Sequence, residues 1–156
     1  MSLLTFGNPV FAVFAICAAL GVLKVMGQGW WTVRQMFAVN GGYATPEDAD
    51  AGLINPDPRP GQLDPHEPVE RSRRMHRNDL ENIPAFWVAG LLFTMTDPVA
   101  WVAYILMVGF VVARAGHAFA YWTAKGHDLR ATFYTLGSLS VIAMGVWVAV
   151  VGVMSL

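Results

Sequence analysis

The densest run of chemistry-bearing side chains is Glu70-Arg71-Ser72-Arg73-Arg74-Met75-His76-Arg77-Asn78-Asp79-Leu80-Glu81-Asn82. On a helix, Arg74, Asn78 and Glu81 stand at i, i+4 and i+7 and share one face, and Arg77 and Glu81 are i, i+4 neighbours. Two more polar stripes lie further on: Arg114, His117 and Tyr121 at i, i+3 and i+7, and Arg130 with Tyr134 at i and i+4. The surplus is cationic, because only Asp79 and Glu81 oppose Arg74, Arg77, Arg114 and Arg130. Guanidinium groups gathered in this way suit an anionic ligand such as a carboxylate. One stripe alone could equally form an interhelical hydrogen-bond seam or an ion-paired helix end, and a lone His117 is more often a satisfied core histidine than a ligand contact. Three stripes together point to a binding site. No metal site is expected, since His66, His76, His117 and His127 lack paired ligand spacing and Cys17 is remote. There is no nucleotide-binding loop and no serine-nucleophile motif.

The elements that must position these side chains are apolar. Apolar residues make up 55% of the 156-residue chain and charged residues only 13%. A soluble domain carries about 25% charged residues, and here the charges collect in a few segments. That is the composition of membrane spans and their loops. The net charge of −1 offers nothing to nucleic acid. Cys17, the single cysteine, reads as a small buried hydrophobe. The first apolar segment lacks the basic region and cleavage site of a signal peptide and is expected to remain as an anchor.

Four helices are expected, at about 9–35, 70–95, 98–124 and 129–154, within one transmembrane domain covering 1–156. Asn8-Pro9, Asp97-Pro98 and Asp128 stand as caps at the starts of the first, third and fourth helices, and Gly126 closes the third. The second helix is apolar only from Ile83 to Met95, too short to span, so it must begin within the charged run. The later polar residues of that run then sit at membrane depth and must face protein or water. Small residues (Gly90, Gly109, Ala113, Gly116, Gly137, Gly145) permit close helix contact. Between the first two helices, the loop of about 36–69 carries Gly41-Gly42 and six prolines, which exclude a continuous helix.

These residues carry a resemblance. The run Glu70-Arg71-x-x-Arg74-x-His76-x-Asn78-Asp79-Leu80-Glu81-Asn82 resembles the signature of the membrane-associated eicosanoid and glutathione metabolism (MAPEG) family. The likeness is nearest to the branch of microsomal glutathione transferases and prostaglandin E synthases. Thr45-Pro46-Glu47-Asp48 is similar to the family's first-loop Asn-Pro-Glu-Asp, Arg114-x-x-His117-x-x-x-Tyr121 to its third-helix motif, and Arg130 with Tyr134 to the start of its fourth helix. The likeness extends from about Pro9 to the end.

The resemblance implies an all-α, integral membrane four-helix bundle that assembles as a homotrimer. It implies glutathione bound between neighbouring subunits at the cytoplasmic face, with a hydrophobic electrophile or lipid reaching the site from the bilayer. Carried over by position, Arg77, Asn78, Glu81, His117, Tyr121, Arg130 and Tyr134 contact the tripeptide. Arg74 and Arg114 support the site, and Arg34 matches a further contact on the first helix. Glu81 suits the ligand's α-amino group and the arginines its carboxylates. Arg130 is the residue implied to activate the thiol, oriented by Asp48, with Tyr134 as its rival. Ala131 stands where the prostaglandin synthases carry serine, whereas Arg77 and Tyr134 are synthase-like. That mixture favours broad glutathione conjugation or lipid hydroperoxide reduction. The alternatives are a prostaglandin-type isomerase and a non-catalytic lipid-binding or lipid-presenting protein.

Basic residues set the expected orientation. Arg34, Arg59, Arg71, Arg73, Arg74 and Arg77 lie in or beside the long loop, and Lys125 and Arg130 flank the third loop. The positive-inside rule places both loops in the cytoplasm and both termini on the opposite side, in a bacterial inner membrane or the endoplasmic reticulum. Cysteines introduced near Gly61 and near Leu156 should therefore react with an impermeant reagent from opposite sides of sealed vesicles. Labelling of both from one side would rule out this orientation.

Overall fold

The computed structural model describes residues 3–156. Four long helices carry the described chain: α1 Pro9–Val39, α2 Glu67–Met95, α3 Ala100–Trp122 and α4 His127–Met154. A short 3₁₀ turn, Pro46–Ala49, lies between α1 and α2, and there is no strand among the described residues. By length and composition α1, α3 and α4 are each apolar enough to cross a membrane. The charged front of α2 keeps it outside that description.

The helix ends follow local chemistry, and three of them differ from the caps read in the sequence. The Asn8 side chain accepts from the Val10 amide at 3.0 Å, which caps α1 just ahead of Pro9. At the other end Asn40 adopts φ 47°, and the Gly41 amide reaches back to the Met36 carbonyl at 3.2 Å. This left-handed closing turn satisfies carbonyls that the helix leaves open. Asp97, expected to cap α3, instead has φ 51° and belongs to the turn closing α2; α3 starts at Ala100, with Val99 as its cap residue. An N-cap needs an extended backbone, which a left-handed residue cannot supply. Gly126 does not close α3. Ala124 takes the left-handed position there (φ 53°), and the Lys125 amide bonds the Ala120 carbonyl at 2.9 Å. Gly126 is the cap residue of α4, which places Asp128 inside the first turn rather than at the cap. There its charge still favours the helix N-terminus.

Two compact units divide the chain: residues 1–25 with 78–156, and residues 26–77. The first is a bundle to which all four helices contribute. Its core gathers Val10, Phe14 and Cys17 from α1, Ile83, Phe86 and Phe93 from α2, Ala103, Met107 and Phe110 from α3, and Met144 from α4. The Phe86 and Phe110 rings stack with centroids 4.3 Å apart. Pro84 lies inside α2, a position membrane helices tolerate when neighbours re-satisfy the freed carbonyl. The expected small-residue contacts divide. A Cβ on Gly90 would press on the Phe14 ring, and one on Gly116 would overlap the Phe133 ring, whereas Gly109 and Gly145 have room.

The second unit is an ordered proline-rich loop held by buried amides. Gln62 and Asn55 bond each other reciprocally, at 2.9 and 3.1 Å. Gln62 also donates to Asn40 Oδ1 at 2.9 Å and accepts from the Arg59 amide at 3.1 Å. Asn55 donates to the Ala49 carbonyl at 3.0 Å, which fixes the turn that carries Asp48. Gln28 on α1 donates to Ser72 Oγ on α2 at 2.7 Å, and Arg73 donates to the Gly42 carbonyl at 2.6 Å. A single buried Gln–Asn pair thus organises a segment whose prolines forbid a helix.

The two glycines on α3 should respond differently to a methyl group. Gly116→Ala forces the Phe133 ring aside and should destabilise the fold by about 1–3 kcal/mol, the usual cost of overpacking. Gly109→Ala, with its nearest neighbour atom at 4.0 Å, should be neutral or slightly stabilising. Thermal unfolding of both variants in one detergent checks the contrast.

Candidate functional site

The α3 stripe expected from the sequence is buried within the first unit. Arg114, His117 and Tyr121 are all buried, and Arg114 and Tyr121 meet Asp79 and Asn78 on α2. The Asn78 amide on α2 donates to the Tyr121 hydroxyl at 3.0 Å. The His117 ring lies 4.9 Å from the Tyr121 ring and 6.2 Å from the Tyr134 ring on α4. The Arg130 guanidinium sits over the face of Tyr121, 5.0 Å from its centroid, where the ring's quadrupole attracts a cation. These contacts surround a pocket of about 310 Å³ lined by Asn78, His117, Tyr121, His127, Arg130, Ala131 and Tyr134.

The electrostatics of this pocket are cationic and incompletely satisfied. Arg130 lies in the first turn of α4, where the helix N-terminus adds partial positive charge. Its Nε is buried without a hydrogen-bond partner. Native proteins seldom leave such a donor unmade, because each costs desolvation without return. A ligand acceptor in the pocket would satisfy it.

Behind the pocket lies an ion cluster that sequence reasoning did not assemble. Asp79 on α2 is fully buried and accepts from Lys24 Nζ on α1 at 2.5 Å. Its other oxygen accepts from Arg114 Nη2 at 2.6 Å and Nε at 3.2 Å. Arg114 Nη2 also lies 3.1 Å from His117 Nδ1, and Arg114 Nη1 is buried with no partner. The signal was present in the sequence. Lys24, Asp79 and Arg114 each interrupt a helix destined for the membrane, and intramembrane charges must find one another. His127 and Ala131 also line the pocket, though neither was singled out as a contact.

The other expected site residues lie elsewhere. Glu81 is exposed on α2. In the second unit, Arg34 is exposed and lies over the Trp31 ring, 4.9 Å from its centroid. Arg77 is exposed, as is Asp48 within its 3₁₀ turn. Arg74 donates to Glu67 at 2.7 Å, and Arg71 joins the same carboxylate at 3.2 Å. Arg74, and then Arg71, hold the Glu67 carboxyl below the usual carboxylate range. The turn carrying Asp48 borders a second cavity of about 340 Å³, which also involves Val33, Met36, Tyr43 and Asn55.

The MAPEG family model matches residues 14–150. The chain belongs to the MAPEG family. It is 32% identical to a human protein named prostaglandin E synthase over 141 residues, covering 90% of this chain and 89% of that one. It is 35% identical to the rat protein named microsomal glutathione S-transferase 1 over 130 residues, 83% of each chain. With three helices able to span a bilayer, this MAPEG chain is an integral membrane protein. The polar residues of the pocket stand on α2, α3 and α4, all within the matched segment.

Proposed function

We propose that this protein is a membrane glutathione transferase that joins glutathione to hydrophobic electrophiles, reduces lipid hydroperoxides, or does both. The observation that carries the reading is Arg130: a guanidinium at the start of α4, one buried N–H unpaired, lining a pocket with Asn78, His117, Tyr121 and Tyr134. The relatives named for glutathione transfer and for prostaglandin E synthesis support the same chemical class.

A free thiol titrates near about 8.5 and is mostly protonated at neutral pH. Lowering that value to about 6.5 takes roughly 2.7 kcal/mol of preferential thiolate stabilisation. A guanidinium and a helix N-terminus acting together in a partly dehydrated pocket are of that order. In conjugation, the thiolate sulfur forms a bond to the electrophilic carbon and the leaving group departs with its electron pair. In peroxide reduction, the sulfur attacks an oxygen and the O–O bond breaks. The alcohol leaves with a proton, and a second glutathione resolves the sulfenic acid to a disulfide and water. His117, Tyr121 and Asn78 offer polar contacts to the ligand. Arg34, Arg77 and Glu81 hold its charged ends, and Arg74 and Arg114 support the site. Neighbouring subunits of a homotrimer complete each site, and the long loop lies in the cytoplasm. The isomerase reading draws on the prostaglandin E synthase relatives, but Ala131 offers that chemistry no hydroxyl.

Arg130→Ala should lower turnover on an aryl halide and on a lipid hydroperoxide by about 10²–10³-fold, the usual loss of a charge-stabilising donor. Glutathione affinity should change only a few-fold. Arg130→Lys should be partly active, since an ammonium lacks the guanidinium fork. Thiolate absorbance on adding glutathione reports the activation directly. If it persists in Arg130→Ala and vanishes in Tyr134→Phe, tyrosine carries the activation. If it is absent from the unaltered protein while lipid binding is intact, a non-catalytic lipid-binding role takes the place of the enzyme.

The assembly has its own test. A trimer is expected in mild detergent by mass analysis of the protein–detergent complex. A monodisperse monomer that binds glutathione at full stoichiometry would contradict a site shared between subunits.

A further inference from the structure

Asp79 touches nothing in the pocket, yet its contacts lead there in two steps. Its Oδ1 accepts from Arg114 Nη2 at 2.6 Å, and the same nitrogen lies 3.1 Å from His117 Nδ1. A guanidinium nitrogen only donates. Nδ1 of His117 must therefore accept, and the imidazole carries its single proton on Nε2. No residue among those described bonds Nε2, and the His117 ring lines the pocket. We propose that Asp79 is a positioning residue for the ligand site: by fixing the Arg114 guanidinium it locks His117 in the Nε2–H tautomer, which gives the pocket a permanent donor for a carboxylate or peptide carbonyl oxygen.

The cluster is built for this. Were His117 free to choose, either ring nitrogen could hold the proton, and half of the orientations would present an acceptor to the ligand. Arg114 removes the choice because it cannot be deprotonated. Arg114 in turn is held in place by a carboxylate with no exposed surface, bonded through both Nε and Nη2. Lys24 occupies the other carboxylate oxygen at 2.5 Å, so Asp79 cannot turn away from Arg114 without losing a second partner. The ligand's identity as glutathione rests on the function proposed above; the tautomer does not.

The test reads the tautomer first. The full-length protein in detergent, with ¹⁵N-labelled histidine and no ligand, gives separate nitrogen signals for its four histidines, and His117→Gln assigns one set. At neutral pH, Nδ1 of His117 should be unprotonated and Nε2 protonated. In Asp79→Asn, which keeps shape but loses charge, the His117 signals should move to mixed tautomers. The KM for glutathione should then rise about tenfold, with kcat changed less than about twofold. In a His117→Gln background the same Asp79→Asn change should cost less than about twofold, because the residue it acts through is gone. A protonated Nδ1 in the unaltered protein overturns the proposal without any variant being needed. So does an equal loss of affinity in both backgrounds, or a loss with the tautomer unmoved, since either marks Asp79 as structural only. Should Asp79→Asn fail to fold, Arg114→Gln asks the same question of the next link: an amide can donate or accept, so a shift to mixed tautomers is expected and an unmoved tautomer overturns the proposal. A locked tautomer that Asp79→Asn releases, in a protein that does not bind glutathione, upholds the positioning role and removes the ligand assignment instead.

Discussion

A carboxylate without water must be paired, and in this protein the pairing of Asp79 sets the level of three helices. Apolar side chains pack well at many depths in lipid, because the bilayer is as apolar as they are. The stacked Phe86 and Phe110 rings hold α2 against α3 but tolerate sliding in a way an ion pair does not. Lys24 on α1 and Arg114 on α3 both reach Asp79 on α2 within 2.6 Å. A shift of one helix by a single turn would strand a charge in a low-dielectric interior. Removing one partner from such a buried pair typically costs about 3–5 kcal/mol, much of it for the charge left behind. The cluster therefore acts less as glue than as a register pin. His117, one turn from Arg114, inherits its place from that pin.

That inheritance explains which parts of the site were legible in the sequence. The stripe of Arg114, His117 and Tyr121 was read from spacing alone, and the structure buries all of it on one side of α3. Arg130 and Tyr134 likewise meet the same pocket, because an i, i+4 pair at a helix start has one face to share. The charged run was read as the front of α2, and α2 does begin within reach of it, at Glu67. What spacing could not give was pairing. Lys24 stands 55 residues from Asp79, and no helical spacing links the two. Arg74 read as a ligand support, yet its guanidinium is occupied by Glu67.

The helix ends and the loop were harder for a different reason. Asp97 and Asp128 are good cap residues by type, but the chain turns through left-handed Asp97 and Ala124, and the caps fall at Val99 and Gly126. Both closing turns satisfy carbonyls at the preceding helix end, a demand that outranks side-chain preference at the next start. In the loop, proline density correctly excludes a helix but says nothing of order. Order there comes from Gln62 and Asn55, two residues whose type is common and whose mutual bond depends on a fold already formed.

The two orphaned guanidinium nitrogens stand in different situations. Arg114 spends two of its three nitrogens on Asp79 and is fixed by them, so its unpaired Nη1 is the residue of a structural arrangement. Arg130 has no ion pair among the described residues; its neighbours are an aromatic face and the start of its own helix. A cation held over a ring, with the positive end of its own helix beside it and no carboxylate paired to it among the described residues, keeps its full field for whatever occupies the adjoining space. Had evolution placed a carboxylate beside it, the charge would be spent before a ligand arrived. The aromatic support is therefore the feature that lets one arginine be both anchored and available. The network behind the pocket is anchored differently, with Lys24 and Arg114 both held by the one Asp79 carboxylate.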